Sequence, residues 1–205
     1  VRLVFNESMK NGFIVFLLIY LGLPLSALAY EMQGMISYNI SQLESKPSNF
    51  SNSGDGIGYT FLGRFDLGPG QVESGFLFTP SSIATTQTTH EAKFTGTYWI
   101  FPLLYRFTFL PPFYSFGIGA DYAVVGTSNL IYDGNPLPSN NINSGYLSHF
   151  GAQASLQAMQ DLGENLSIVL DLRYRKGLGT AINLSGAETK YSFFIVALGI
   201  QKHLE

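Results

Sequence analysis

The stretch LSIVLDLRYRK, residues 166–176, sets Leu166, Ile168, Leu170, Leu172 and Tyr174 on one register and Ser167, Asp171, Arg173 and Arg175 on the other. A period of two is that of an extended strand, whose successive side chains point to opposite sides. A strand that is greasy on one side and ionic on the other has to lie between two unlike media. The alternation recurs. Residues 56–67 place Ile57, Tyr59, Phe61, Phe65 and Leu67 against Thr60, Arg64 and Asp66, and residues 94–109 place Trp99, Phe101, Leu103, Tyr105, Phe107 and Phe109 against Pro102, Arg106 and Thr108. Residues 113–125 carry Tyr114, Phe116, Ile118, Ala120, Tyr122 and Val124 against Ser115, Gly117, Gly119 and Asp121. Residues 146–158 carry Phe150, Ala152, Ala154, Leu156 and Ala158 against His149, Gly151, Gln153, Ser155 and Gln157. With weaker stretches at 32–41, 72–79 and 191–204, eight strands are expected.

Composition and connections decide which side is wet. Only 12% of the residues are charged, against roughly 25% in an ordinary soluble domain, while 46% are hydrophobic and 15% aromatic. These charges are too few to clothe the outside of a soluble fold. Beyond the N-terminal segment no run of 18 or more apolar residues occurs, which excludes spanning by helices. The gaps between the expected strands alternate between long (42–55, 80–93, 126–144, 177–190) and short (68–71, 110–112, 160–165). LGPGQ, LPP and QDLGEN carry turn chemistry, whereas SKPSNFSNSGDG and IYDGNPLPSNNINSG read as polar loops. An even number of antiparallel strands with tight turns at one end and long loops at the other is the pattern of outer-membrane barrels. The expected fold is therefore all-β: one eight-stranded antiparallel up-and-down transmembrane β-barrel, aromatic side toward lipid and charged side toward the lumen.

A Lys or Arg on the lipid side at mid-membrane costs roughly 2–4 kcal/mol, which accounts for the single register of the strand charges. Arg64, Asp66, Glu73, Arg106, Asp121, Asp171, Arg173 and Arg175 make four cations and four anions on the inward register. Eight strands enclose a space only wide enough for side chains to fill. The expectation is an internal charge network that plugs the lumen; a narrow pore lining or a polar-ligand site is the alternative for the same residues.

The N-terminal segment MKNGFIVFLLIYLGLPLSALAYE, from Met9, has a Lys, an apolar run of about 14 residues, too short to span, and Ala27-Leu28-Ala29. This is the build of a secretory signal peptide with an A-x-A site. The expected organisation is a signal peptide over 1–29, with 1–8 an upstream extension, and a barrel domain over 30–205.

Other chemistry is thinly represented. A net charge of -3 provides no basic stripe for nucleic acid, and the absence of cysteine removes thiolate sites and disulfides. His90, His149 and His203 are too scattered for zinc spacing, so no cofactor or metal is expected. Ser148 and His149 are adjacent in a strand and point to opposite sides, so they cannot act as a nucleophile–base pair. GDGIG and GIGADY do not join a strand to a helix, and small residues facing a crowded lumen explain them. Asn-x-Ser at Asn39, Asn49, Asn165 and Asn183 is a glycosylation signal only in a eukaryotic secretory path. Pro102 has no N–H for a ladder, so a bulge or break is expected there.

The segment YWIFPLLYRFTFLPPFYSFGIGADYAV, residues 98–124 and onward, resembles the PLLYR and GIGADY strand-turn-strand region of the outer-membrane β-barrel domain proteins of the small eight-stranded class. The leader and the loop asymmetry extend the resemblance over nearly the whole chain. It implies insertion by the outer-membrane assembly machinery, contact with outer-membrane lipids and lipopolysaccharide, and a porin-like, adhesive or envelope-stabilising role. Such barrels usually end on an aromatic residue, whereas this chain ends VALGIQKHLE, read as a variant assembly signal or a vector-derived Leu-Glu. The functional expectation is a monomeric, non-enzymatic outer-membrane barrel that acts through its surface. A narrow channel or carrier for small apolar solutes is the alternative, and a lipid A-modifying enzyme a further one. N-terminal sequencing of the exported protein is expected to start at Tyr30; a first residue at Met9 or earlier contradicts the leader assignment.

Overall fold

The computed structural model describes residues 31–46, 50–87, 90–110, 113–132, 135–136, 148–180, 182–184 and 187–204. The leader, its cleavage after Ala29 and Glu205 lie outside the described residues. Ten strands follow in order: β1 (Glu31–Lys46), β2 (Phe50–Leu67), β3 (Gly70–Gln87), β4 (His90–Leu110), β5 (Tyr114–Tyr132), β6 (Asn135–Pro136), β7 (His149–Gly163), β8 (Leu166–Gly177), β9 (Ile182–Leu184) and β10 (Ala187–His203). β6 and β9 are short pieces paired to β5 and β10. The eight long strands form an antiparallel sheet in the order β1-β2-β3-β4-β5-β7-β8-β10. β10 then pairs back to β1 from Glu31↔His203 to Lys46↔Glu188, which closes the sheet into a barrel.

The outside of this barrel is apolar. Ile36, Tyr59, Phe107, Ile118, Leu170, Leu198 and Ile200 stand 40–62% exposed, and they come from six of the eight long strands of the wall. Lys176 and Lys202, exposed near the two ends of their strands, leave the middle of that wall uncharged. On β4 the outward set runs from Trp99 to Phe109. At roughly 3.3 Å per residue and a tilt near 40°, ten such steps rise about 25 Å, the height of an outer-membrane apolar band.

Three local features depart from the expectations or refine them. The segments 42–55 and 80–93, expected as polar loops, are mostly strand: β1 and β2 remain paired to Ser45↔Phe50, and β3 and β4 to Gln87↔His90. Alternation is lost there because neither side faces lipid, but pairing still satisfies the backbone, so strands continue past the apolar band. The end asymmetry is thus carried largely by strand overhang.

The break expected at Pro102 lies on one side only. The β4–β5 ladder passes through Pro102↔Asp121, while β3–β4 pairing is interrupted between Ser74↔Leu103 and Leu77↔Ile100. Ser74 Oγ donates to Pro102 O at 3.0 Å in the gap. Gly75 in the same gap has φ +151°, and a Cβ there would meet Phe61 O at 2.1 Å, so no other residue fits. At the opposite corner, Gly68 (φ +63°) opens the two-residue turn between Leu67 and Gly70, where glycine takes a positive φ without strain.

The third departure is inside. Tyr98, Tyr191 and Phe193, on the register expected to be polar, are buried with Leu43, Ile83 and Ile195 in one apolar cluster. The lumen is therefore not uniformly polar. Leu170→Arg, on the outward register, is expected to reduce the heat-modifiable folded fraction in detergent, at a cost of about 2–4 kcal/mol. Ser167→Arg, two percent exposed on the inward side with Asp161 beside it, is expected to retain more folded protein; equal yields contradict the facing.

Candidate functional site

The inward register of four strands converges on one carboxylate. Glu73 of β3, fully buried, accepts from Arg64 of β2 (Nη2 at 2.7 Å and Nε at 2.9 Å) and from Arg106 of β4 (Nη2 at 2.9 Å and Nε at 3.0 Å). Its second oxygen lies 2.7 Å from Arg173 Nη2 of β8. That guanidinium also pairs with Asp171 Oδ2 at 2.7 Å, and Asp171 Oδ1 accepts from Ser155 Oγ at 2.7 Å. β8 stands four strands from β3 in a ring of eight, so the Glu73–Arg173 contact crosses the lumen between opposite walls.

Neutral side chains complete the layer. Arg106 donates to Ser115 Oγ at 3.1 Å and to Ser155 Oγ at 2.8 Å, and Arg173 to Gln153 Oε1 at 3.2 Å. Arg64 Nη2 donates to Gln157 Oε1 at 2.5 Å, again across the barrel from β2 to β7. The Gln33 amide lies within hydrogen-bonding distance of those of Gln157 and Gln201. Such saturation matters because a buried ion pair repays its desolvation only when its remaining donors and acceptors are also met.

A second pair sits toward the long-hairpin end. Arg175 of β8 approaches Asp121 Oδ1 of β5 with Nη2 at 2.7 Å and Nε at 2.8 Å. Gly151 makes the room: a Cβ there would stand 2.8 Å from Arg175 Nη2 and from both Asp121 oxygens. Arg175 Nη1 lies 3.0 Å from His149 Nε2. The apolar layer begins here, with the Arg175 guanidinium 5.9 Å from the Phe193 ring centre and Tyr98 5.9 Å from Phe193 and 5.3 Å from Tyr191. Tyr98 on β4 and Phe193 on β10 are also on opposite walls.

Seven of the eight charged residues singled out from the sequence are thus brought inside: Arg64, Glu73, Arg106, Asp121, Asp171, Arg173 and Arg175. Asp66 is not. It lies exposed near the end of β2, where its Oδ1 accepts from Gln71 Nε2 at 3.2 Å. Its place in the charge balance is taken by Glu31, six percent exposed, 3.6 Å from Arg64 Nη1 and 3.4 Å from His203 Nδ1. Alternation did not reach Glu31 because it stands at the first residue of β1, outside the expected stretch. Gln153, Ser155, Gln157 and His149 were already on the polar side of their strand; only their partners were invisible. Among the described residues no group of three or more His, Asp or Glu is placed to hold a metal ion.

A closed sheet of eight long strands, apolar outside and ionic inside, reverses the arrangement of a soluble domain. The fold is that of a small outer-membrane β-barrel. No protein-family model and no curated protein sequence matches the chain. Among solved structures it is similar to Ail, the attachment invasion locus protein of Yersinia pestis, with a TM-score of 0.49 and 14% identity over 85% of this chain and 99% of that one. It is also similar to Neisserial surface protein A (TM-score 0.44, 11% identity, 83% of this chain and 97% of that one). A third is the translocator domain of the autotransporter NalP from Neisseria meningitidis (TM-score 0.43, 12% identity, 95% and 96%). The likeness is one of outline, with little shared sequence.

Glu73→Gln leaves three guanidiniums around a neutral group, and removing one partner from a buried ionic cluster costs about 3–5 kcal/mol. Denaturant unfolding in detergent micelles is expected to show that loss, against less than about 0.5 kcal/mol for exposed Asp66→Asn. Equal effects would place Glu73 outside the cluster's energetic centre.

Proposed function

We propose that the protein is an exported outer-membrane barrel that works through its outer surface and the projecting hairpin end, in contact with the lipopolysaccharide layer, and that its lumen is a closed structural core. The Glu73–Arg173 contact across the barrel is the observation that carries this reading. An open path for solute has to pass that contact and the Tyr98–Phe193 contact above it, both of which join opposite walls. The cluster's charge also supports it, since among the described residues four buried arginines face Glu31, Glu73, Asp121 and Asp171, a balance that gives the cluster no net pull on an ion.

Projection of the hairpins supports a surface role. Pairing that continues beyond the apolar band holds the hairpin bases as rigid ladders, a better platform for contact than slack loops. His149 is engaged by Arg175 and buried, which favours a packing role for it over a role as an exposed base.

Purified protein refolded in detergent and added to planar bilayers is expected to give no steady conductance, while outer-membrane fractions of expressing cells retain it in heat-modifiable form. A reproducible unitary conductance abolished by added bulk at the lumen overturns the closed-core reading in favour of a narrow channel.

A further inference from the structure

On the outer wall, one step beyond the apolar band at the long-hairpin end, two irregularities fall side by side. Pro80 of β3 has no N–H to donate, and β2–β3 pairing is interrupted between Asp55↔Ser82 and Tyr59↔Phe78. Two strands along, β5 carries an extra residue, Gly126, so that Thr97 pairs with Thr127 but Tyr98 with Val125. Between them lies a hollow of about 260 Å³ lined chiefly by Asp55, Pro80, Thr95, Thr97, Thr127 and Asn129.

We propose that this hollow binds a neutral sugar unit of an outer-leaflet glycolipid; the inference rests on the outer-membrane placement proposed above, with the long hairpins outward. Its chemistry is that of a hydroxyl-rich ligand. Among the described residues Asp55 is the single ionisable one lining it, so a phosphate meets repulsion there, whereas a carboxylate, an amide and threonine hydroxyls together offer acceptors and donors to sugar hydroxyls. Asp55 is oriented by the Tyr38 hydroxyl, which donates to its Oδ2. Thr97 Oγ1 is fixed by the Thr127 N–H at 2.9 Å and lies 2.9 Å from Thr127 Oγ1.

An aromatic edge borders the site. A Cβ at Gly126 would stand 2.8 Å from Thr97 Oγ1 and 3.1 Å from Trp99 Nε1, so the missing side chain leaves the indole edge open beside the hollow. Trp99 in turn ends a row of rings, 4.9 Å from Phe78, which lies 6.4 Å from Tyr59. Aromatic rows of this kind sit at the membrane–water boundary, where the first sugars of a glycolipid begin. The hollow is smaller than the roughly 300–1,000 Å³ of drug-sized sites, which suits one ring better than a longer chain.

The chain has one tryptophan, Trp99, which borders the hollow at Thr97, so its fluorescence serves as the readout. The full-length protein, refolded in detergent and shown to be heat-modifiable, is titrated with dephosphorylated lipopolysaccharide, with intact lipopolysaccharide and with phosphatidylethanolamine in the same detergent. A saturable change is expected with both lipopolysaccharides and not with the phospholipid, with at least tenfold weaker binding for Thr127→Val and Gly126→Val. Thr127→Val keeps the side-chain shape, so it decides the matter if Gly126→Val fails to fold. Binding that vanishes on dephosphorylation, or equal binding by Thr127→Val, overturns the sugar site. Absence of the protein from outer-membrane fractions overturns the placement instead, so the two failures are distinguishable.

Discussion

The pairing of β1 with β10 is the constraint on which the rest depends. In hydrocarbon no water is present to satisfy a free N–H or C=O, so a sheet in that medium has to close on itself. The sixteen-residue register from Glu31↔His203 to Lys46↔Glu188 removes both edges at once. It joins the first and last strands of the barrel, which makes closure a property of the whole chain and of no single hairpin. Once the ring is shut, inside and outside are defined, and the alternation of every strand acquires a meaning.

Closure of eight strands leaves a lumen narrow enough for side chains to meet across it, and the contents are layered. Toward the tight-turn end Glu73 gathers Arg64, Arg106 and Arg173; toward the hairpin end Tyr191 and Phe193 stack and Tyr98 packs against both. Arg175, paired to Asp121 and lying near the Phe193 ring, joins the layers. Arginine suits this place because its planar, always-charged fork can hold two or three acceptors at once in a dry interior. The same interior would penalise any of these charges left alone, so the layer is cooperative by construction.

The outer wall has its own logic. Within the band apolar side chains cover the wall, and where β3–β4 pairing lapses at Gly75 the Ser74 hydroxyl takes the Pro102 carbonyl; above it, Pro80 and Gly126 disturb the ladders and polar residues replace aromatic ones. Irregularity is tolerated there because water and headgroups can satisfy backbone groups that hydrocarbon cannot. A feature that recognises something outside the barrel therefore belongs at this level of the wall.

The strand number, the lipid-facing side of each strand and the inward placement of Arg64, Glu73, Arg106, Asp121, Asp171, Arg173 and Arg175 were legible in the linear pattern. Period-two alternation is a local property, and charge is too costly in lipid to appear on the wrong side. What the chain alone left open were relations between distant residues. That Glu31 rather than Asp66 balances the buried arginines depends on which strand end faces the lumen. That Tyr98 and Phe193 touch depends on strands four places apart in the ring, and an aromatic residue is equally at home in lipid or in a packed core. The continuation of pairing through 42–55 and 80–93 was hidden for a related reason: with water on both sides the side-chain pattern fades while the backbone ladder persists. The sequence by itself determined the medium of most strand side chains, because solvation acts residue by residue; only the closed barrel decided the partners, because those are set by geometry across the ring.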